Sequence, residues 1–123
     1  MRQTFILLLV VFLCSCNEQF EYISVDEFNN FSDDEFEIID VRTVEEFQSG
    51  YISGAINIDF FSADFIDKIK ETDSTLKLIL YCRTDNRSSK SAKILVDNNY
   101  KNIYVIKGGI EEWISQGNPV IFY

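Results

Sequence analysis

Residues 76–88 read LKLILYCRTDNRS: an apolar run, then a cysteine, then a short polar loop that opens a helical pattern through Ala92, Ile94, Leu95 and Val96. The run is nearly continuous in apolar residues, as expected of a strand covered on both faces in a parallel sheet. A second such run, NIYVI at 102–106, lies downstream. Between and before them, short apolar stretches alternate with amphipathic segments. The pattern predicts strands at 22–24, 37–41, 55–58, 76–81 and 102–106, with helices at 25–31, 43–49, 62–71, 87–98 and 110–116. The expectation is one α/β domain, a parallel sheet with helices on both sides, and no internal repeat. In open sheets of this kind the binding crevice lies at the carboxyl ends of the strands, and Cys82 sits at such an end.

Composition narrows the chemistry. The 123 residues are 46% hydrophobic and include eleven Phe, six Tyr and one Pro, the make-up of a folded chain with an aromatic core. A net charge of −9 works against binding a phosphate backbone, so nucleic acid is not expected as a partner. Histidine is absent, which removes Cys-His and Ser-His-Asp hydrolases and every His-containing metal site. Three cysteines without a Cys-x-x-Cys pair argue against a structural zinc or a dithiol oxidoreductase. No metal and no cofactor are expected.

The amino terminus reads as a leader. Arg2 is followed by the apolar FILLLVVFL at 5–13, too short for a membrane span of about 20 residues and right for a secretory signal. The following Leu13-Cys14-Ser15-Cys16 resembles a bacterial lipobox. The small Ser15 precedes Cys16, whereas the bulky Leu13 precedes Cys14, which selects Cys16 as the lipidated residue. The expected organisation is a signal at 1–15, a short linker at 16–21 and a domain at 22–123. The chain would then be lipid-anchored in a bacterial cell envelope, on the periplasmic side or the cell surface, with the membrane met through the anchor alone. An uncleaved anchor and a Cys14 to Cys16 redox pair are the competing readings. Loss of the leader would leave Cys82 as the single thiol, and a solitary cysteine in an oxidising compartment calls for a chemical reason or for burial.

The loop after Cys82 supplies such a reason. Strand, tight loop and helix bring successive amide groups together, and the positive helix end adds to their attraction for negative charge. Arg83, Arg87, Lys90 and Lys93 form a basic patch in an acidic chain, suited to an anion.

At these residues the sequence resembles the rhodanese family. Cys82-Arg83-Thr84-Asp85-Asn86-Arg87-Ser88 is similar to the family's active-site loop, with an arginine five positions after the cysteine. Ile39-Asp40-Val41-Arg42, Glu45-Glu46-Phe47 and GYISGAINI at 50–58 follow the family order, as do KGGI at 107–110, Trp113 and GNPV at 117–120. The resemblance covers about 22–120. It implies a three-layer α/β fold with a five-stranded parallel sheet. It also implies a sulfurtransferase in which Cys82 takes a sulfur from a small anionic donor, such as thiosulfate or a thiol persulfide, and passes it to a thiol or cyanide-like acceptor. Residues Arg83, Thr84, Asp85, Asn86, Arg87 and Ser88 would bind the donor, with Arg87 the main charged support, while Asp40 and Arg42 would be scaffold. Related phosphatases and arsenate reductases use a loop one residue longer, so the shorter loop favours sulfur transfer. A non-catalytic anion- or partner-binding module is the alternative.

Asp85 stands where the family often has a small residue. The expectation is that it tolerates a left-handed backbone there, and that its carboxylate repels an anionic donor. Tyr51 stands where many relatives have histidine, and a structural role is expected of it.

Overall fold

Along the strand that ends at Cys82, side chains alternate between two cores. Leu78, Leu80 and Cys82 join one buried cluster, and Ile79 and Tyr81 join the other. A strand covered on both sides must sit inside a three-layer arrangement, and the computed structural model, which describes residues 10, 19–32 and 36–123, has that architecture.

In chain order the elements are β1 (Glu21–Ile23), α1 (Val25–Asn29), β2 (Phe36–Asp40), α2 (Val44–Gln48), β3 (Ile56–Asn57), α3 (Phe65–Lys70), β4 (Lys77–Tyr81), α4 (Asn86–Asp97), β5 (Ile103–Ile106) and α5 (Gly109–Ser115). The sheet has five strands in the order β1-β5-β4-β2-β3. Every pairing between them is parallel. On one face α3 and α4 bring Phe65, Ile69, Ala92 and Leu95 onto Ile39, Leu78, Leu80 and Val105. On the other, Phe28 of α1, Phe47 of α2 and Ile110 and Trp113 of α5 cover Ile38, Ile79 and Ile106. The expected three-layer α/β fold is thus present, with β4 at its centre.

Short helices need their free ends satisfied, and the sequence provides for this. Ser24-Val25-Asp26-Glu27 forms a reciprocal capping box: the Ser24 hydroxyl accepts from the Glu27 amide at 3.0 Å, and the Glu27 carboxylate accepts from the Ser24 amide at 2.9 Å. Thr43 caps α2 in the same way, accepting from the Glu46 amide at 3.3 Å.

Two boundaries differ from expectation. Phe20, placed in the linker, is only 6% exposed and packs in the core beside Ile103 and Val105, while Glu21 already belongs to β1. An apolar ring next to a strand gains more by burial than a linker position offers, so packing begins before residue 22. The helix expected over 62–71 is confined to Phe65–Lys70. Of the leader only Val10 is described, and Cys16 lies outside the described residues. Among the described residues no helix is long and apolar enough to cross a membrane.

Candidate active site

The site is built where β4 ends and α4 begins. Because Cys82 continues the inward face of Leu78 and Leu80, its side chain is 1% exposed, and Sγ lies 3.3 Å from the Ser88 hydroxyl one turn into α4. The loop between them is held from outside by α5. The amides of Ile110 and Glu111 donate to the carbonyls of Cys82 and Arg83 at 2.9 and 3.1 Å. Gly109 makes this approach feasible. Its φ is +59°, and a Cβ there would stand 2.4 Å from the Cys82 carbonyl oxygen and 2.5 Å from that of Thr84.

With those carbonyls engaged by α5, the loop's amides are left over. Among the described residues, the N–H groups of Thr84, Asp85, Asn86, Arg87 and Ser88 have no acceptor. Asp85 stands at the N-cap of α4 yet makes no side-chain capping bond, so the helix start is uncapped. Unpaired amides at a helix N-terminus form an anion cradle, here beside a cysteine sulfur.

Asp85 corrects one expectation. Its φ is −135°, and Asn99 is the one non-glycine residue with positive φ among those described, so no left-handed position is being tolerated. Its Oδ1 accepts from the Gly108 amide at 2.8 Å, tying the loop to the β5–α5 turn. A carboxylate engaged in that bond also acts as a brace between the two loops.

Arg87 has a partner that the sequence did not reveal. Its Nη1 and Nη2 donate to Glu46 Oε1 and Oε2 at 2.9 and 2.8 Å, a bidentate pair linking α4 to α2. The Arg87 hydrogen bonds are the main reason that the Glu46 carboxyl is held below its ordinary value. Bonding to Glu46 likewise raises the guanidinium, against the opposing effect of burial. The charge expected to support the donor is matched by a carboxylate. Arg83 is exposed and pairs with Glu111 at 3.3 Å, and Lys90 and Lys93 are exposed, whereas Arg87 lies close enough to Cys82 to interact with it electrostatically. Thr84 is half-buried and Asn86 exposed, and neither side chain bonds to a described neighbour. The unpaired donors of the loop are therefore backbone more than side chain.

Beneath the loop, Asp40 and Arg42 form a buried pair. Arg42 Nη2 meets Asp40 Oδ2 at 2.6 Å and also donates to the Gly50 carbonyl at 2.7 Å. Burial alone would lower the Arg42 guanidinium, but hydrogen bonds and charge from Asp40 prevail and raise it. Tyr81 lies against the pair with Arg42 5.7 Å over its ring, and its hydroxyl accepts from the Ile52 amide at 3.1 Å. Burial drives the Tyr81 phenol upward, and the Asp40 charge adds to this. These groups hold the strand ends that carry the site, and Tyr51, stacked on Phe47 at 4.1 Å, supports the α2–β3 connection.

The sequence reading gave Glu46 no role, although the Thr43 capping position three residues earlier sets it at the start of α2. In the sequence the bracing turn at 108–111 shows only as part of the KGGI motif. A cavity of about 510 Å³ lies between Phe28, Ile52, Ile56 and Trp113 and does not include the cysteine. Among the described residues no group of Cys, Asp or Glu side chains is placed to hold a metal ion.

Residues 24–116 match the Rhodanese-like domain family. The chain belongs to that family. The rhodanese-like domain is 34% identical over 79 residues to the thiosulfate sulfurtransferase GlpE of Pseudomonas entomophila, covering 63% of this chain and 70% of that one. It is 34% identical over 100 residues to the adenylyltransferase and sulfurtransferase UBA4 of Meyerozyma guilliermondii, covering 76% of this chain and 24% of that protein. It therefore spans about a quarter of that larger relative. Among solved structures it resembles a rhodanese-related protein from Thermoplasma volcanium, with 29% identity, a TM-score of 0.70, and coverage of 84% of this chain and 99% of that one.

Proposed function

We propose that this rhodanese-like domain is a sulfurtransferase that carries sulfur as a persulfide on Cys82. The observation that supports this most is Cys82, the one free cysteine among the described residues, set beside consecutive amides, Thr84 to Ser88, that have no acceptor there. In the first step the Cys82 thiolate attacks the outer sulfur of a donor. The Sγ–S bond forms, the donor's S–S bond breaks, and its electron pair leaves with the departing anion: sulfite from thiosulfate, or a thiolate from a thiol persulfide. The amides of the cradle hold the anionic outer sulfur on Cys82, and Ser88 Oγ, 3.3 Å from Sγ, orients the sulfur that attacks. A thiol or cyanide-like acceptor then takes the outer sulfur and restores the thiolate. Neither step needs an imidazole base, in keeping with a chain that has no histidine.

Mass spectrometry of the domain after exposure to thiosulfate or an organic persulfide tests this. A gain of one sulfur atom on Cys82, discharged by added thiol and absent from Cys82→Ser, is the expected result. Failure to load with every donor would replace the enzyme by an anion- or partner-binding module. Phosphatase turnover without sulfur loading would favour the oxyanion chemistry of the longer-loop relatives.

We further propose that residues 1–15 are a lipoprotein signal and that Cys16 carries the lipid, placing the domain at a bacterial envelope membrane. Detergent-phase partitioning of the full chain expressed in bacteria, lost in Cys16→Ser, is the expected outcome. Equal partitioning of both proteins would exclude it.

A further inference from the structure

The sheet is open at the β3 side. β3 is an edge strand, paired with β2 alone among the described residues. The Ile58 amide donates to the Asp40 carbonyl at 2.9 Å, and the Phe60 amide donates to the Val41 carbonyl at 3.1 Å. Backbone groups alternate in direction along an extended chain, so the N–H groups of Asn57 and Asp59 and the carbonyl of Asn57 face away from β2. Among the described residues no strand lies on that side to pair with them. Bare edges are commonly guarded by a charge or a proline, and Ile56–Asn57 carries neither, with Ile56 44% exposed.

Two hollows meet along this edge, and Glu37 and Ile56 line both. One is the apolar cavity of about 510 Å³ walled by Phe28, Trp113 and Ile121. The other, about 340 Å³, lies on the α3 side and is lined by Glu37 and Glu71 together with Lys68, whose ammonium is drawn to Asp64 at 3.4 Å. The Glu37 side chain shares the face of Ile39, which packs under α3 and α4. Its Oε2 is shut off from solvent and has no hydrogen-bond partner among the described residues. An acceptor in that position is costly until a donor reaches it.

We propose that the β3 edge is a docking site for an extended peptide in which apolar and basic side chains alternate. Laid beside β3, such a peptide bonds through its main chain to Asn57 and Asp59 and sends successive side chains to opposite faces. The apolar ones enter the Trp113 cavity, and the basic ones bring to Glu37 the donor that its oxygen lacks. A net charge of −9 favours a basic partner and works against a second copy of the chain. Cys82 lines neither hollow, so docking is independent of the sulfur chemistry.

Trp113 is the one tryptophan of the chain and lines the cavity, so its fluorescence reports occupancy. The full chain is titrated with the capped hexapeptide Lys-Val-Lys-Val-Lys-Val and with its Glu-Val counterpart. The basic peptide is expected to give a saturable change, equal in Cys82→Ser, and the acidic peptide none. Glu37→Gln should weaken binding about tenfold, the scale of one hydrogen bond between charged groups. Of two basic peptides N-methylated at the lysines alone or at the valines alone, one should bind about tenfold more weakly and the other as well as the parent, because only alternate N–H groups face β3. Equal affinities of the two methylated peptides, equal binding of the basic and acidic peptides, or no saturable change would each overturn the proposal. A dimer in sedimentation whose formation excludes the peptide would assign the edge to a second copy instead.

Discussion

Arg87 gives both terminal nitrogens to the two carboxylate oxygens of Glu46, joining helices α4 and α2 across 41 positions of chain. The pair fixes the first turn of α4, the turn whose amides form the cradle. Glu46 is partly exposed, with 36% of its side chain accessible against 14% for Arg87, so its effect on overall stability is moderated by solvent. Its role is chiefly geometric.

The same pair predicts a pH dependence. Glu46 is held below its ordinary value of 4.5 by Arg87, so the folded state binds its proton less readily than the unfolded chain. The stability it contributes is complete above that ordinary value and is lost as pH falls through the lowered one. Thermal unfolding of the wild type should therefore decline more steeply than that of Glu46→Gln on going from about pH 5 to pH 3, and the two curves should converge at the acid end. Parallel curves would show that the pair contributes no proton-linked stability.

Asp85 invites a substitution to glycine on sequence grounds, because removing a carboxylate beside an anion site should speed the reaction. Its bond to the Gly108 amide reverses that expectation. Asp85→Gly removes the brace and adds backbone freedom to the loop, so sulfur loading of Cys82 should slow and stability fall by about 1–2 kcal/mol. Stopped-flow loading kinetics and chemical denaturation measure the two effects. A faster rate with unchanged stability would restore the repulsion argument.

The contrast shows what could be read from residues and what could not. The run LKLILY, nearly continuous in apolar groups, places β4 in the sheet interior because a strand covered on both faces is made that way. The capping residues Ser24 and Thr43 mark helix starts because their hydroxyls answer local amides within three residues. Cys82 and its loop are local in the same sense. By contrast, Glu46 meets Arg87 through the crossing of two helices, and Asp85 meets Gly108 through the approach of two loops 23 positions apart. Charge read along the chain suggests a basic patch, and tertiary structure pairs its two arginines with carboxylates distant in sequence.

Gly109 is the tightest point of the site. A methyl group there would stand 2.4 Å from the Cys82 carbonyl oxygen, and the backbone lies at φ +59°. The loop must move away from α5 to admit it, and with it the carbonyls that Ile110 and Glu111 hold. Gly109→Ala is expected to cost about 2–4 kcal/mol and to suppress Cys82 loading far below wild type. Gly54→Ala is the control. Its φ is +84° but no atom lies within 4 Å of the added Cβ, so it should cost about 1 kcal/mol and leave loading intact. Equal losses in the two variants would show that backbone strain, rather than displacement of the loop, is responsible.

The Asp40–Arg42 pair separates scaffold from chemistry. Asp40 is fully buried and accepts from the Arg42 amide at 2.9 Å as well as from the guanidinium, so Asp40→Ala strands a buried positive charge. Removing one partner of such a pair typically costs about 3–5 kcal/mol, whereas replacing both by apolar groups of similar volume is often close to neutral. Asp40→Leu with Arg42→Met should therefore recover most of the stability lost in Asp40→Ala. Recovery should be incomplete, because Arg42 also donates to the Gly50 carbonyl, which loses that partner in the double variant. If the pair is scaffold alone, the folded double variant loads sulfur on Cys82 at close to the wild-type rate. A stable double variant with loading reduced a hundredfold would instead show that the buried charges act on the reacting sulfur through the ends of β2 and β4.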